Sequence, residues 1–542
     1  MRFKDFVVAA AGLSLAAATP AQILAPEPQF SAEAFKAHVT FLADDLLEGR
    51  EAGTRGYDIA ARYVATQFEA LGLTPGAGTS WFQPIEFVRF GLSGTPRVTI
   101  GERTFVQGEG VLVRPSPSTE ALALDVPLVF VGYGLDMPAR GFDDYAGLDV
   151  RGKVVVAFTG FPSDTPSDVG AHLNSEKARM AAARGAVGMI TLRRHSEIED
   201  SPWARMATFG GRPSTTWVGT DGSPFVAGRL GFAATLEGEA AEAMFAGARR
   251  SLAQLQDEVA RPGRRPRGFA LTQRLRVERA AAETSRFNSP NVLGVIPGSD
   301  PALANEYVLL MAHLDGLGIR ADGEGDRIRN GAMDNATGIA TLIEVARQLV
   351  RDGRRPRRPI LLAAVTAEEK GLLGAEFLAR NPVTANSRVV SVVNLDMPIL
   401  TYDFQDVTAF GAEHSTMGPI VARAAARMNV RLSPDPLPRE NLFVRSDHYK
   451  FVREGVPSVF LMTGFAGEGR QRFTGFLETN YHRPNDDIRL PFNWNAGARF
   501  AQLNYLIARE IADADQAPLW YADSFFGQVF GGAQQRATRQ AP

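Results

Sequence analysis

The stretch PILLAAVTAEEKG at 359–371 limits the fold of this chain more than any other. Residues 360–365 form an unbroken apolar run, short enough for a strand buried on both faces. It ends in Thr366 and Ala367, followed by two adjacent carboxylates, Glu368 and Glu369, then Lys370, Gly371 and a new helical pattern. In open α/β sheets the reactive groups collect beyond the carboxyl ends of the strands. Two acids at that position need a cation or a reaction to justify them. Where the backbone leaves a strand, neighbouring side chains can diverge, so that one binds a metal while the other handles a proton.

The surrounding sequence repeats the pattern. Strands are expected at 291–296, 307–312, 360–365, 389–395 and 457–461, and helices after Asn335, Gly371, Ser415, Asp447 and Asn493. Strands alternating with helices imply a mostly parallel, mixed α/β sheet with helices on both faces. Two amphipathic helices precede this region. One follows Ser31 with Phe35, Val39, Leu42 and Leu46 on one face; the other follows Thr54 and stops at Gly72. Between them the polar loop LEGREAG at 47–53 is either a connector or a rim that reaches the site. From about residue 98 the pattern is β-rich, with strands expected at 126–131, 153–159 and 186–192, a helix at 175–184 and a helical stretch at 240–259. The arginine-rich segments at 262–267 and 351–358 read as solvated loops, since neither interleaves aromatics with its charge. The segment from about 516 mixes aromatics with Gly and Gln and has no clear period. It reads as partly ordered at best, with 520–526 able to dock on the surface.

At 542 residues the chain is too long for one ordinary core, so two or more domains are expected. A net charge of −2 gives no sign of a nucleic acid partner or an anionic membrane. There is no cysteine, hence no disulfide framework and no thiolate site. Any metal must be held by His, Asp and Glu, and with only seven histidines each one is informative. The N-terminus reads as an export signal at 1–21: Arg2 and Lys4 are basic, 6–18 is apolar and Ala-rich, and Thr19-Pro20-Ala21 supplies small residues for cleavage. The apolar run is short for a membrane span, so no span is expected once the signal is removed. Export without cysteine suits a bacterial periplasm or secretion.

The chemistry-bearing residues sit at the ends of these elements. The apolar run 307–312 leads into His313-Leu314-Asp315, where a carboxylate two residues from an imidazole can take its N–H and fix which ring nitrogen faces a metal. Asp334 precedes a helix whose apolar face is Ile339, Leu342, Ala346 and Leu349, a place where backbone N–H groups and the helix dipole favour an anion. The 389–395 run leads into Asp396, and Tyr481-His482 lies on a loop before the last helix. A histidine at a strand end is more often structural than a ligand, and an aspartate before a helix is usually a cap. Their combination is specific. His313, Glu368, Glu369 and Asp396 all fall at carboxyl ends of strands expected to be parallel, which brings them to one edge. The set holds more acids than one zinc needs, which suits two metals sharing a bridging carboxylate. No HExxH, GxSxG or phosphate-loop motif supports a competing mechanism.

This pattern resembles the co-catalytic dinuclear zinc exopeptidases, the family that includes bacterial and vacuolar aminopeptidases, glutamate carboxypeptidase and the transferrin receptor ectodomain. The matching segments are NVLGVIPG at 291–298, AHLDG at 312–316, GAMDNATG at 331–338, TAEEKGLLGA at 366–375, NLDM at 394–397, SDHYKF at 446–451 and YHRPND at 481–486. The resemblance implies two Zn2+ per chain, with His313 and Asp396 on one, Glu369 and His482 on the other, and Asp334 bridging them. It implies that Glu368 is the general base acting on a water held between the metals, and that Tyr481 donates to the developing oxyanion. Asp315 would orient His313 from behind, and Ser446 and Asp447 would line or support the substrate pocket. The Asp334–Asn335 peptide would be cis. His414 and His448 match no ligand position and read as structural or pocket residues. A vaguer similarity, resting on VFVGYG, KVVVAF and the GAVGMI segment, relates 115–265 to the protease-associated domain often inserted in these enzymes. The expected organisation is a signal at 1–21, an N-terminal helical part of the peptidase domain at 29–110, the insert at 115–265, the zinc peptidase domain at 285–515 and a tail at 516–542.

The implied function is an exported aminopeptidase acting on peptides. A carboxypeptidase on acidic C-termini is the nearest alternative and would need arginines aimed into the pocket, with Arg445 and Arg329 as candidates. A non-catalytic binding ectodomain should have lost ligands, whereas all five and the base are present here.

Overall fold

The computed structural model describes residues 28–539, apart from 119, 227, 229, 322 and 384–386. The expected signal at 1–21 lies outside the described residues. Among the described residues no helix is long and apolar enough to cross a membrane.

Among the described residues nine strands form the main sheet, and the 359–371 stretch supplies one of its inner strands, Ile360–Val365. Glu306–His313 runs parallel to it on one side, and Arg388–Leu395 and then Ser458–Thr463 continue the parallel arrangement outward. Asn291–Ile296 on the other side and Asp406–Phe410 near the far edge are antiparallel, so the sheet is mixed with a parallel centre. Side chains alternate along a strand, and here both sets are buried. Leu310, Ala312, Leu362 and Ala364 join a core with Ile339 and Leu342 of Thr337–Arg351 and Leu503 and Ile507 of Trp494–Asp513. Leu309, Met311, Leu361 and Ala363 pack on the opposite face with Leu378 of Leu373–Arg380 and Phe451 of His448–Arg453. This double burial explains why the central strands read as unbroken apolar runs rather than as alternating ones.

A second sheet takes its inner strands, Leu122–Phe130, Val154–Phe158, Gly188–Leu192 and Phe232–Leu236, in parallel, and is completed by Arg97–Ile100, Arg103–Val106, Val111–Val113 and Phe269–Arg279. It therefore draws on sequence beyond both ends of the expected 115–265 range, because the long strand Phe269–Arg279 pairs back onto both Leu122–Phe130 and Arg97–Ile100. A three-stranded sheet of Ser214–Trp217, Glu86–Gly91 and Glu283–Asn288 joins the two parts.

Four expectations need correction. The first helix ends at Leu42, so Leu46 falls in the following turn and is 83% exposed instead of sharing the buried face of Phe35, Val39 and Leu42. The 240–259 stretch is two short helices, Gly238–Met244 and Leu252–Val259, broken where Gly247 adopts a left-handed backbone. In the 351–358 segment Arg358 is buried, with its guanidinium on Glu306 at 2.9 Å. The C-terminal segment is packed as far as residue 539: Trp520 is buried and donates from Nε1 to the Gly455 carbonyl at 2.8 Å, and Phe525–Phe530 is a helix.

Candidate metal centre

The three strands Ile360–Val365, Glu306–His313 and Arg388–Leu395 are adjacent and parallel, so the residues that follow them meet at one edge of the sheet. His313 closes its strand and Asp396 follows the next. Asp334 sits in the turn Ala332–Ala336, and its peptide bond to Asn335 is cis. His482 arrives on the loop after Gly469–Thr479, with 39% of its side chain exposed.

These residues converge. His313 Nε2 lies 3.1 Å from Asp334 Oδ1 and 3.3 Å from Asp396 Oδ1. His482 Nε2 lies 3.3 Å from Asp334 Oδ2 and 3.3 Å from Glu369 Oε2. Asp334 thus presents one oxygen to each of two His–carboxylate pairs, and the two groups His313–Asp334–Asp396 and Asp334–Glu369–His482 each have a spacing fit for a metal ion. Each imidazole nitrogen faces two carboxylate oxygens at once. A single N–H cannot satisfy both well, whereas a cation can. With neither thiolate nor thioether in the set, the donors suit a borderline metal bound by imidazole and carboxylate.

Charge crowding sets the protonation of the cluster. Burial works to lower the pKa of His313, but the Asp396 and Glu368 charges and its hydrogen bonds to Asp334 and Asp396 hold it well above its ordinary value. Burial likewise opposes Asp334, yet the bonds from His313 and His482 keep its pKa below the usual carboxylate range. Burial, with the Asp334 charge, lifts Glu369 to about 8. Burial also raises Glu368 well above an ordinary glutamate, against the attraction of His313 and with the repulsion of Glu369 and Asp447. The Tyr481 hydroxyl is held protonated by burial and by the Asp334 and Glu369 charges, and its ring stacks on His482 at 3.7 Å.

The partners behind this cluster differ from those expected at Asp315. The Nδ1–H of His313 meets the backbone carbonyl of Asp315 at 3.0 Å, while the Asp315 carboxylate stands 4.0 Å away. That carboxylate instead accepts the backbone N–H of Glu368 at 3.0 Å and of Glu369 at 3.3 Å, fixing the loop that carries both acids. Of the two roles left open for Ser446 and Asp447, lining or support, their burial fits support. Ser446 Oγ donates to Asp396 Oδ2 at 2.6 Å and accepts from Asn394 Nδ2 at 2.7 Å, so it holds a carboxylate of the cluster from behind. Burial, with the Asp396 and Asp315 charges, lifts Asp447 to about 8. His448 is buried against Phe443 and Phe460 and His414 binds Asp168 at 2.8 Å, so neither reaches the cluster.

Two supporting residues carried no signal that singled them out. Asp486 accepts the backbone N–H groups of Met333 at 2.8 Å and Asp334 at 3.1 Å. It belongs to the YHRPND segment, whose histidine drew attention first. Arg50, from the loop left open between connector and rim, is buried under the cluster, so the loop reaches the site. Neither arginine considered for a substrate carboxylate stands unengaged: Arg445 pairs with Glu440 at 3.5 Å, and Arg329 donates to the Leu317 and Gly318 carbonyls.

Residues 291–508 match the model of Peptidase family M28. A probable zinc metalloprotease from Leptosphaeria maculans is 26% identical over 211 residues, 35% of this chain and 48% of that protein. A probable glutamate carboxypeptidase from Arabidopsis thaliana is 25% identical over 390 residues, 64% of this chain and 49% of that protein. The chain thus spans about half the length of these curated relatives. An aminopeptidase from Aneurinibacillus sp. strain AM-1 shares the fold, with a TM-score of 0.51 at 20% identity over 89% of this chain and 94% of that one. The parallel strands that carry His313, Glu368, Glu369 and Asp396, together with the loop of His482, lie within the segment that matches Peptidase family M28.

Proposed function

We propose that the chain is an exported zinc exopeptidase holding two ions, which removes amino-terminal residues from peptides. The observation that carries this reading is the Asp334 carboxylate, whose two oxygens face separate His–carboxylate pairs at 3.1 and 3.3 Å, with Glu368 alongside. His313 and Asp396 would hold one zinc, Glu369 and His482 the other, and Asp334 both. Bound zinc would supply Lewis acidity, polarising the scissile carbonyl and making a water acidic at neutral pH. Glu368 accepts the proton of the attacking water and passes it to the leaving amine nitrogen. Tyr481, kept protonated by its surroundings, donates a hydrogen bond to the carbonyl oxygen as it gains charge. Export rests on the N-terminal pattern, and the second sheet's reading as a protease-associated domain rests on VFVGYG and KVVVAF.

The amino-terminal preference is supported by the engagement of Arg445 and Arg329, which leaves neither of these two as a free fork for a substrate carboxylate. Purified protein should contain close to two zinc ions by elemental analysis. It should hydrolyse amino-acid nitroanilides with a free amine, spare their N-acetyl counterparts and lose activity to a chelator. Faster cleavage of N-blocked peptides with acidic C-termini would establish the carboxypeptidase alternative. A zinc-loaded protein inert to every substrate would instead be a binding ectodomain.

A further inference from the structure

We propose that Arg50 is a positioning residue for the metal centre, a buried fork that sets the spacing between the strand end bearing His313 and the turn bearing Asp334. The inference rests on the two-zinc reading of the site. The Arg50 guanidinium is fully buried, yet among the described residues it meets no carboxylate directly. Its Nε donates to the Leu314 carbonyl at 2.9 Å, between His313 and Asp315. Its Nη1 donates to the Asn330 carbonyl at 2.6 Å and also to the Leu42 carbonyl, and its Nη2 donates to the Gly331 carbonyl at 3.0 Å. One rigid plane therefore ties the end of the first helix, the residue next to one ligand and the entry to the turn that holds the shared one.

The neighbouring backbone strengthens the link. Gly316 N–H donates to the Arg50 carbonyl and Gly318 N–H to the Gly49 carbonyl, each at 3.1 Å. Gly49 adopts φ +70, and a Cβ there would come within 2.5 Å of the Arg329 carbonyl oxygen. Glu51 then reaches Lys370 Nζ at 2.8 Å, next to Glu369. Residues 49–51 thus touch segments beside His313, Asp334 and Glu369. The charges of Asp486, Asp315, Asp334 and Glu369 act on Arg50, so its cation also offsets the acid surplus of the cluster. A lysine keeps the charge but cannot donate along three fixed directions.

The test measures zinc affinity by competition with a chromophoric chelator, beside thermal melting of the metal-free protein. Arg50→Ala removes the fork; Arg50→Lys keeps charge and length and decides the matter if Arg50→Ala does not fold. Wild type should bind two zinc ions. Arg50→Lys should fold without metal, yet bind zinc roughly 10–100-fold more weakly. Ethylguanidinium should restore part of the affinity of Arg50→Ala. A folded Arg50→Lys with wild-type zinc affinity overturns the proposal, as does a lower metal-free melting temperature with unchanged zinc affinity, which marks a merely structural residue. Wild type that binds no zinc removes the two-zinc reading and this inference with it.

Discussion

Ala367 is fully buried and adopts φ +54, in the left-handed region that most residues avoid. The loop around it is over-determined. Asp315 accepts the amides of Glu368 and Glu369, Asn291 Oδ1 accepts that of Thr366 at 3.0 Å, and Gly374 N–H returns to the Thr366 carbonyl. On the proposed reading, the two adjacent glutamates are thereby turned to different tasks. Glu368→Ala should retain its zinc and lose activity by roughly 10²–10⁴-fold through the missing proton transfer. Glu369→Ala should lose zinc from one site and regain part of its activity on zinc addition. Because Glu368 must be unprotonated to act, activity should fall as pH drops through its pKa. Bound zinc would offset the burial and carboxylate repulsion that raise Glu368 in the metal-free chain, and Glu368→Ala should lack this acidic limb. Metal content and rates across pH check both variants; a nearly fully active Glu368→Ala would remove the base assignment.

The helix Ser167–Ala183 of the second-sheet module packs directly on the part that carries the candidate metal centre. Its His172 is buried, meets the Tyr449 hydroxyl and sits among the rings of Phe525, Phe526 and Phe530. Glu176 meets Arg453 at 2.9 Å along the same seam. Tyr449 and Arg453 belong to the short helix that begins right after Asp447, so the module abuts the back of the metal centre. Burial, aided by the Arg453 and Arg179 charges, lowers the His172 pKa to about 4. The unfolded chain therefore binds the proton first. The stability held by neutral His172 is complete above about pH 6.5 and is lost as pH falls towards 4, a difference on the order of 3 kcal/mol. His172→Gln should flatten the fall in denaturation midpoint between pH 6.5 and 4, measured in urea. Equal slopes for variant and wild type would show that this histidine is not the group that titrates.

Across the whole molecule the C-terminal segment acts as a strap. Thr416 N–H donates to the Leu519 carbonyl and Tyr521 N–H to the His414 carbonyl, Trp520 reaches the Gly455 carbonyl, and the Phe525–Phe530 helix covers His172 of the other module. Trp520 is 1% exposed, so truncating it empties a large packed volume. Trp520→Ala should destabilise the first unfolding transition by about 3–5 kcal/mol. Removal of residues 516–542 should do at least as much, read by chemical denaturation followed by tryptophan-independent circular dichroism. A change below 1 kcal/mol would mean that the strap only rests on the surface.

What could be read along the chain was local. Unbroken apolar runs ending in His313, in Glu368–Glu369 and in Asp396 announced strands buried on two faces with chemistry at their ends, and the adjacency of those strands brings the residues together. Three things were decided only by the tertiary structure. Asp315 serves the Glu368–Glu369 amides rather than His313, because that choice depends on how close a neighbouring strand's loop passes. Ser446 and Asp447 stand behind the cluster rather than lining a pocket, because burial is a property of everything packed around a residue. Arg50 reaches carbonyls as far as 281 positions away. Such a contact leaves no periodicity or spacing in the sequence, since a backbone carbonyl accepts a hydrogen bond whatever side chain it carries.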